Sequence, residues 1–155
     1  IRFLVRSRLI LAGLFDLDPG LVPSRDDRDH NVCYVDDAGA GHVVGFELPS
    51  IDALDQLAGE LDALDVAVRS GSAEECEQRR VRAMVRIADP TGNDIELVAR
   101  PASSGIRYFP SRDAGITAFS HVGLRTCDAP ADEAFWNRTL DGLAVLGAPG
   151  FFRVY

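Results

Sequence analysis

The sequence predicts an α+β fold built from repeated β-α-β-β-β modules, and three observations support this. Residues 51–64 carry apolar side chains at three- and four-residue spacing, which is typical of an amphipathic helix. Residues 80–98 have the pattern of two strands joined by a tight turn. After residue 115 the layout of a strand followed by a helix begins again. The chain therefore combines strands and helices in a repeating order.

The first half of the chain leads into the clearest helix. Residues 1–15 are compatible with either a strand or a helix, whereas residues 32–35 and 42–48 are predicted strands. Ser50 is a predicted helix N-cap because its hydroxyl can accept from a free backbone N–H group. The helix is predicted over residues 51–64, with one apolar stripe formed by Ile51, Leu54, Leu57, Leu61 and Leu64.

A hairpin follows this helix. We predict a short strand at 66–68, a polar loop at 70–78 and a half-exposed strand at 80–87, whose arginines alternate with apolar residues. The sequence DPTGN at 89–93 predicts a structural turn in which Gly92 has a positive φ, and residues 95–98 form the returning strand. We interpret Arg79, Arg80, Arg82 and Arg86 as a solvated face paired with nearby glutamates.

The return of a strand followed by a helix after residue 115 suggests an internal repeat. A strand at 121–126 and a helix at 131–140, which contains Phe135 and Trp136, repeat the order of the strand at 43–48 and its helix. The offset of 78 residues places Val43 opposite His121. A single module of this size cannot cover its own apolar face, so a paired module is expected. Residues 101–115 have the composition of a linker.

Composition excludes several functions. The formal charge of −8 makes nucleic-acid and membrane-surface partners unfavourable. All 16 basic residues are arginine, which excludes Schiff-base and P-loop lysine chemistry. Three widely spaced cysteines argue against a disulfide framework, so we predict a cytoplasmic location. Residue 1 is Ile and the only methionine is Met84, so we expect either a fragment of a longer enzyme or a truncated protein that has lost the chemistry.

Three segments carry a family resemblance. They are ADPTGNDIEL at 88–97, FSHVGL at 119–124 with the Phe-Trp pair that follows in its helix, and SAE with RRV at 72–74 and 79–81. Together they resemble the vicinal oxygen chelate superfamily, and within it the N-terminal half of the type I extradiol ring-cleavage dioxygenases. The resemblance implies curved, cup-like mixed sheets with the helices outside.

The resemblance also implies an enzyme of aromatic hydrocarbon catabolism with two domains. Residues 1–100 correspond to an N-terminal metal-free domain, in which a partial first module is followed by a second module at 41–100. Residues 101–115 are the linker. Residues 116–155 begin the C-terminal metal-binding domain, which is incomplete in this sequence. In the family that domain holds Fe(II) through two histidines and one glutamate, and His121 matches the first histidine. The implied partners are a small aromatic diol, O₂ and further copies of the chain in a homo-oligomer.

Three other residues and one other function are alternatives to this hypothesis. His42 is one residue away from the register of His121, so its side chain is expected on the other face of its strand. Glu96 is a metal ligand in a glyoxalase-like hypothesis and an arginine-paired strand carboxylate in the extradiol one, which we favour. His30 is interpreted as part of a solvated charged loop with Asp26 and Asp27. The alternative function is a glyoxalase- or bleomycin-resistance-like protein that binds a small molecule without redox chemistry.

Overall fold

The structure is a computed structural model that describes residues 11–12, 21–23, 30–33, 43–102, 122–149 and 151–155. It has the α+β composition that the sequence predicts, with a mixed sheet and packed helices. The strands of the main sheet are β1 (Leu11–Ala12), β2 (Leu21–Pro23), β3 (His30–Cys33), β4 (Val43–Leu48), β5 (Arg69–Ser70), β6 (Val81–Ala88) and β7 (Asp94–Pro101).

The sheet consists of two similarly ordered sets of strands. Its order is β2-β3-β1-β4-β7-β6-β5. On one side β4 pairs in parallel with β7, which pairs antiparallel with β6, and on the other side β1 pairs in parallel with β3, which pairs antiparallel with β2. The two sets join through an antiparallel contact between Ala12 of β1 and Val43 of β4. Paired modules in one mixed sheet are thus confirmed.

Helix α1 (Ile51–Asp62) covers one face of this sheet. The Ser50 hydroxyl accepts a hydrogen bond from the Ala53 N–H group at 3.1 Å, so the predicted N-cap is confirmed. The buried side of α1 packs on β4, β6 and β7. The core formed there contains Leu48, Leu54, Leu57, Leu61, Val85, Ile87, Ile95, Leu97, Ala99 and Phe135.

The helix ends earlier than its apolar stripe predicts. Asp65 has a left-handed φ of 60°, and the Val66 N–H group donates to the Leu61 carbonyl at 3.0 Å. This is the Schellman arrangement that terminates helices. It turns Leu64 away from the core and leaves that side chain 59% exposed, so its predicted place in the stripe is wrong. The strand predicted at 66–68 lies instead at β5, where Arg69 pairs with Arg86.

The polar loop predicted at 70–78 contains helix α2 (Ala73–Gln78). Its N-terminus is a capping box in which the Ser72 hydroxyl accepts from the Glu75 N–H group and the Glu75 carboxylate accepts from the Ser72 N–H group. Polar composition suggested a loop because α2 has no buried side chain and so no apolar periodicity. The Ser-x-x-Glu spacing was the available signal for this helix.

The hairpin of β6 and β7 is confirmed, with Arg86 opposite Glu96 and Ile87 opposite Ile95. The Gly92 N–H group donates to the Asp89 carbonyl at 2.9 Å, which closes the turn, and Gly92 has a φ of 94° as predicted. The side chain of buried Asp89 accepts from the backbone and side chain of Asn93. These bonds fix the turn between the two longest strands.

The later part of the chain differs from the predicted repeat. Residues 122–126 are not in a strand, and the Arg125 carbonyl instead accepts a hydrogen bond from the side chain of Asn93 in the hairpin turn at 2.9 Å. The helix predicted at 131–140 begins earlier as α3 (Ala129–Ala134) and continues as a π-helical turn, Phe135–Thr139. A separate hairpin pairs β8 (Leu146–Ala148) with β9 (Phe152–Val154). Among the described residues, every helix is too short or too polar to cross a lipid bilayer.

Candidate functional site

The face of the sheet opposite α1 carries the charged residues of the candidate site. Side chains alternate between faces along a strand, so Ile95 and Leu97 lie in the core beneath α1 while Glu96 lies on the opposite face. Val43 pairs with Asp94, two residues before Glu96. Val43, the repeat counterpart of His121, therefore shares the face of Glu96.

Glu96 is fully buried between two arginines. Its Oε2 accepts from Arg79 Nε at 3.2 Å, and its Oε1 accepts from Arg86 Nη2 at 2.7 Å. The Arg79 side chain is 7% exposed, whereas that of Arg86 is 28% exposed. A buried carboxylate requires such compensation, because loss of hydration disfavours its charged form.

Glu75 extends the network toward solvent. Arg69 binds both of its carboxylate oxygens, at 2.7 and 2.9 Å, and Arg86 Nη1 lies 3.4 Å from its Oε1. The hydrogen bond from Arg69, the backbone N–H group of Ser72 and the charge of Arg86 lower the pKa of Glu75 to about 2. The same contact with Glu75 raises the pKa of Arg69. Glu75 therefore stays ionised and links α2 to the sheet.

This arrangement favours a structural role for Glu96. Both carboxylate oxygens are bound by guanidinium groups, so neither is free to ligate a metal. The arginine-paired interpretation of Glu96 agrees with these contacts. Within the described ranges, no group of three or more His, Cys, Asp or Glu side chains could hold a metal ion. The described residues therefore do not by themselves fit an iron centre.

The arginine-rich segment is only partly solvated, so that prediction needs correction. Arg80 and Arg82 are exposed as expected, but Arg79 is buried. The reason is that Arg79 follows α2 and its side chain reaches Glu96, 17 residues away in the chain. Alternation within one strand gives no indication of such a partner.

Of the three histidines, the structure describes only the backbone of His30. His121 and His42 lie outside the described residues, and so do Asp26 and Asp27. The backbone of His30 begins β3 and pairs with Pro23 of β2, so His30 is not in the loop that its charged neighbours suggested.

A second polar cluster was not predicted. Asp132 in α3 is buried, with 6% of its surface exposed, and it binds Thr91 of the hairpin turn. The two residues are 41 positions apart, and no local motif in the sequence links them. In the same region Phe135 enters the core beneath α1, and Trp136 lies edge-on to Phe46 at a centroid distance of 6.1 Å. Phe135 is thus a core residue, and the partly buried Trp136 packs against the same core.

Two curated proteins are similar in sequence. An iron-dependent extradiol dioxygenase from Rhodococcus jostii (strain RHA1) is 30% identical over 102 residues, which cover 63% of this chain and 34% of that protein. A biphenyl-2,3-diol 1,2-dioxygenase from Sphingomonas paucimobilis is 27% identical over 121 residues, which cover 72% of this chain and 40% of that protein. The matched regions thus span about a third to two fifths of these relatives. No protein-family model matches the chain.

Solved structures show the same fold. A catechol 2,3-dioxygenase aligns with a TM-score of 0.71 at 21% identity, covering 94% of this chain and 55% of that one. BphC, a halotolerant catechol dioxygenase, aligns with a TM-score of 0.65 at 19% identity, covering 85% and 46%. An Mn(II)-bound glyoxalase from Novosphingobium aromaticivorans aligns with a TM-score of 0.63 at 19% identity, covering 85% and 44%. The predicted resemblance is confirmed at the level of fold.

Proposed function

We propose that this chain, which has the vicinal oxygen chelate fold of extradiol dioxygenase-like proteins, is part of a ring-cleaving dioxygenase. The proposed substrates are a catechol-type aromatic diol and O₂, and the proposed cofactor is Fe(II). Two curated relatives named as extradiol dioxygenases support the reaction class. The matched regions cover 34% and 40% of these relatives, so the proposed activity is that of the whole protein.

The strand register of Val43 is the observation that identifies which histidine is the proposed metal ligand. Val43 lies on the sheet face that bears Glu96, and Val43 is the repeat counterpart of His121. The described residues 122–126 are not in a strand here, so the proposal requires that the complete later module adopts the register of Val43 and thereby places His121 on the face equivalent to that of Glu96. His42, which precedes Val43, then corresponds to a position on the other face. The register therefore supports His121, and not His42, as the metal ligand.

The proposed division of labour follows from the contacts of Glu96. The module at 41–100 has a valine and an arginine-bound glutamate on this face, so its role in the proposal is structural. Residues 101–115 are proposed to connect it to the metal-binding domain that begins at 116. A neutral imidazole suits Fe(II), and two histidines with one carboxylate leave positions open for substrate. The remaining ligands are proposed to lie after Tyr155 in a longer protein.

Location and assembly remain predictions. The cytoplasmic location is predicted from the cysteine pattern, and the homo-oligomer is predicted from the family resemblance. Neither prediction depends on the contacts described above. The oligomeric state can be measured by light scattering on the longer protein.

A substrate comparison tests the function. The proposed longer protein, which extends past Tyr155, is supplied with Fe(II), and its O₂ consumption is followed with catechol and with resorcinol. Only catechol has vicinal oxygens that can chelate one metal ion, so we expect O₂ uptake with catechol alone. Binding of catechol without O₂ uptake would refute the dioxygenase and favour the non-redox binding protein. Equal uptake with both diols would contradict chelation.

A further inference from the structure

The hairpin turn of β6 and β7 holds a distant segment of the chain. Asp132 accepts hydrogen bonds from the Thr91 N–H group at 3.1 Å and from the hydroxyls of Thr91 and Thr126. A buried carboxylate must be compensated by donors, and three donors supply that compensation here. Asp132 is therefore a connecting residue between the turn, the segment before α3 and α3 itself.

The turn also binds the backbone of that segment. The Thr91 hydroxyl accepts from the Cys127 N–H group at 2.9 Å while it donates to Asp132, so both of its hydrogen-bonding roles are used. Asn93 donates one side-chain N–H to Asp89 at 2.6 Å and one to the Arg125 carbonyl at 2.9 Å. These contacts take the place of strand pairing at residues 125–127.

Apolar contacts also attach this segment to the sheet. Phe135, at the end of α3, is 7% exposed and belongs to the core formed by α1 and the sheet. Trp136 packs against Phe46 of β4. The segment is thus attached to the sheet through two kinds of contact, one polar at the turn and one apolar at the core.

We propose that Thr91, Asn93, Thr126 and Asp132 form a latch that docks residues 122–139 onto the module at 41–100. The latch sets the geometry between the two predicted domains, since residues 122–139 lie after the predicted linker. Thr91 is its central residue because it alone among the four bonds both the backbone at Cys127 and the carboxylate of Asp132. This inference is independent of iron binding.

Amide hydrogen exchange tests the latch in the 155-residue chain. Thr91→Val keeps the size of the side chain but removes the hydroxyl, so the Cys127 amide loses its acceptor. We expect its exchange to accelerate about tenfold or more relative to the Leu97 amide, which reports on the hairpin core. Thr91→Ser retains a hydroxyl and should restore most of the protection. Asp132→Asn should produce an effect that is non-additive with Thr91→Val.

A matched control separates the latch from general destabilisation. Glu133 neighbours Asp132 on α3 and pairs instead with Arg153 at 3.3 Å. Glu133→Gln should leave the exchange of Cys127 unchanged. The proposal is overturned if Thr91→Val leaves Cys127 as protected as before, or if it accelerates Cys127 and Leu97 equally. Additive effects of Thr91→Val and Asp132→Asn would also overturn it, because a shared network requires coupling.

Discussion

Replacing Glu96 by glutamine should destabilise the fold far more than replacing an exposed glutamate. Glu96 is 0% exposed and binds Arg79 at 3.2 Å and Arg86 at 2.7 Å. A neutral side chain leaves the guanidinium of Arg79, which is 7% exposed, without a counter-charge. Breaking a buried ion pair from one side costs about 3–5 kcal/mol, so we expect a loss of that size in the free energy of unfolding.

Urea denaturation measures this loss, and two further variants define its origin. Glu74→Gln on α2 is the control, since Glu74 is exposed, and it should change stability by less than about 0.5 kcal/mol. Arg86→Gln should cost less than Glu96→Gln, because Arg86 is 28% exposed and Glu96 keeps its bond to Arg79. A Glu96→Gln protein within about 1 kcal/mol of the original would refute the account of a compensated buried charge.

Three other predictions concern packing, the turn and pH. Leu61→Ala should cost about 2–5 kcal/mol because Leu61 is 0% exposed, while Leu64→Ala should be nearly neutral in the same urea titration. Gly92→Ala should lower stability by about 1 kcal/mol or more because of its positive φ, whereas Gly59→Ala within α1 should raise it, as thermal unfolding can show. Because the pKa of Glu75 is lowered in the folded protein, the ionised carboxylate stabilises the fold above pH 4.5, and this stabilisation is lost as the pH falls toward 2. The urea midpoints of the original protein and of Glu75→Gln should therefore converge over this pH range. A constant difference between the two midpoints would contradict this prediction.

Local signals in the sequence predicted the elements that depend on local contacts. The apolar stripe from Ile51 to Leu64 and the cap at Ser50 predicted α1, although the helix ends before Leu64. The turn residues predicted the hairpin with its positive φ at Gly92. Helix α2 has a local signal too, the Ser72–Glu75 spacing, but it lacks the apolar periodicity on which the prediction relied.

Contacts between distant residues account for two of the predictions that were wrong. Arg79 looks like a surface residue beside other charges, yet its carboxylate partner is 17 residues away. The strand at 121–126 was predicted from the likeness of this segment to residues 43–48, yet Asn93 binds the backbone at Arg125 from 32 residues away. Composition gives no information on such partners, since they are set by how the modules pack.

Metal analysis of two histidine variants tests the central proposal most directly. In the protein that continues past Tyr155 and is loaded with Fe(II), His121→Ala and His42→Ala are compared for bound iron after removal of excess metal. The 78-residue repeat offset places Val43, and not His42, opposite His121, and Val43 shares the sheet face of Glu96; together they predict that His121→Ala loses the iron and that His42→Ala retains it. The 155-residue chain alone should bind no stoichiometric iron, since a facial site needs further ligands. Iron lost from His42→Ala, or retained by His121→Ala, would contradict the assignment.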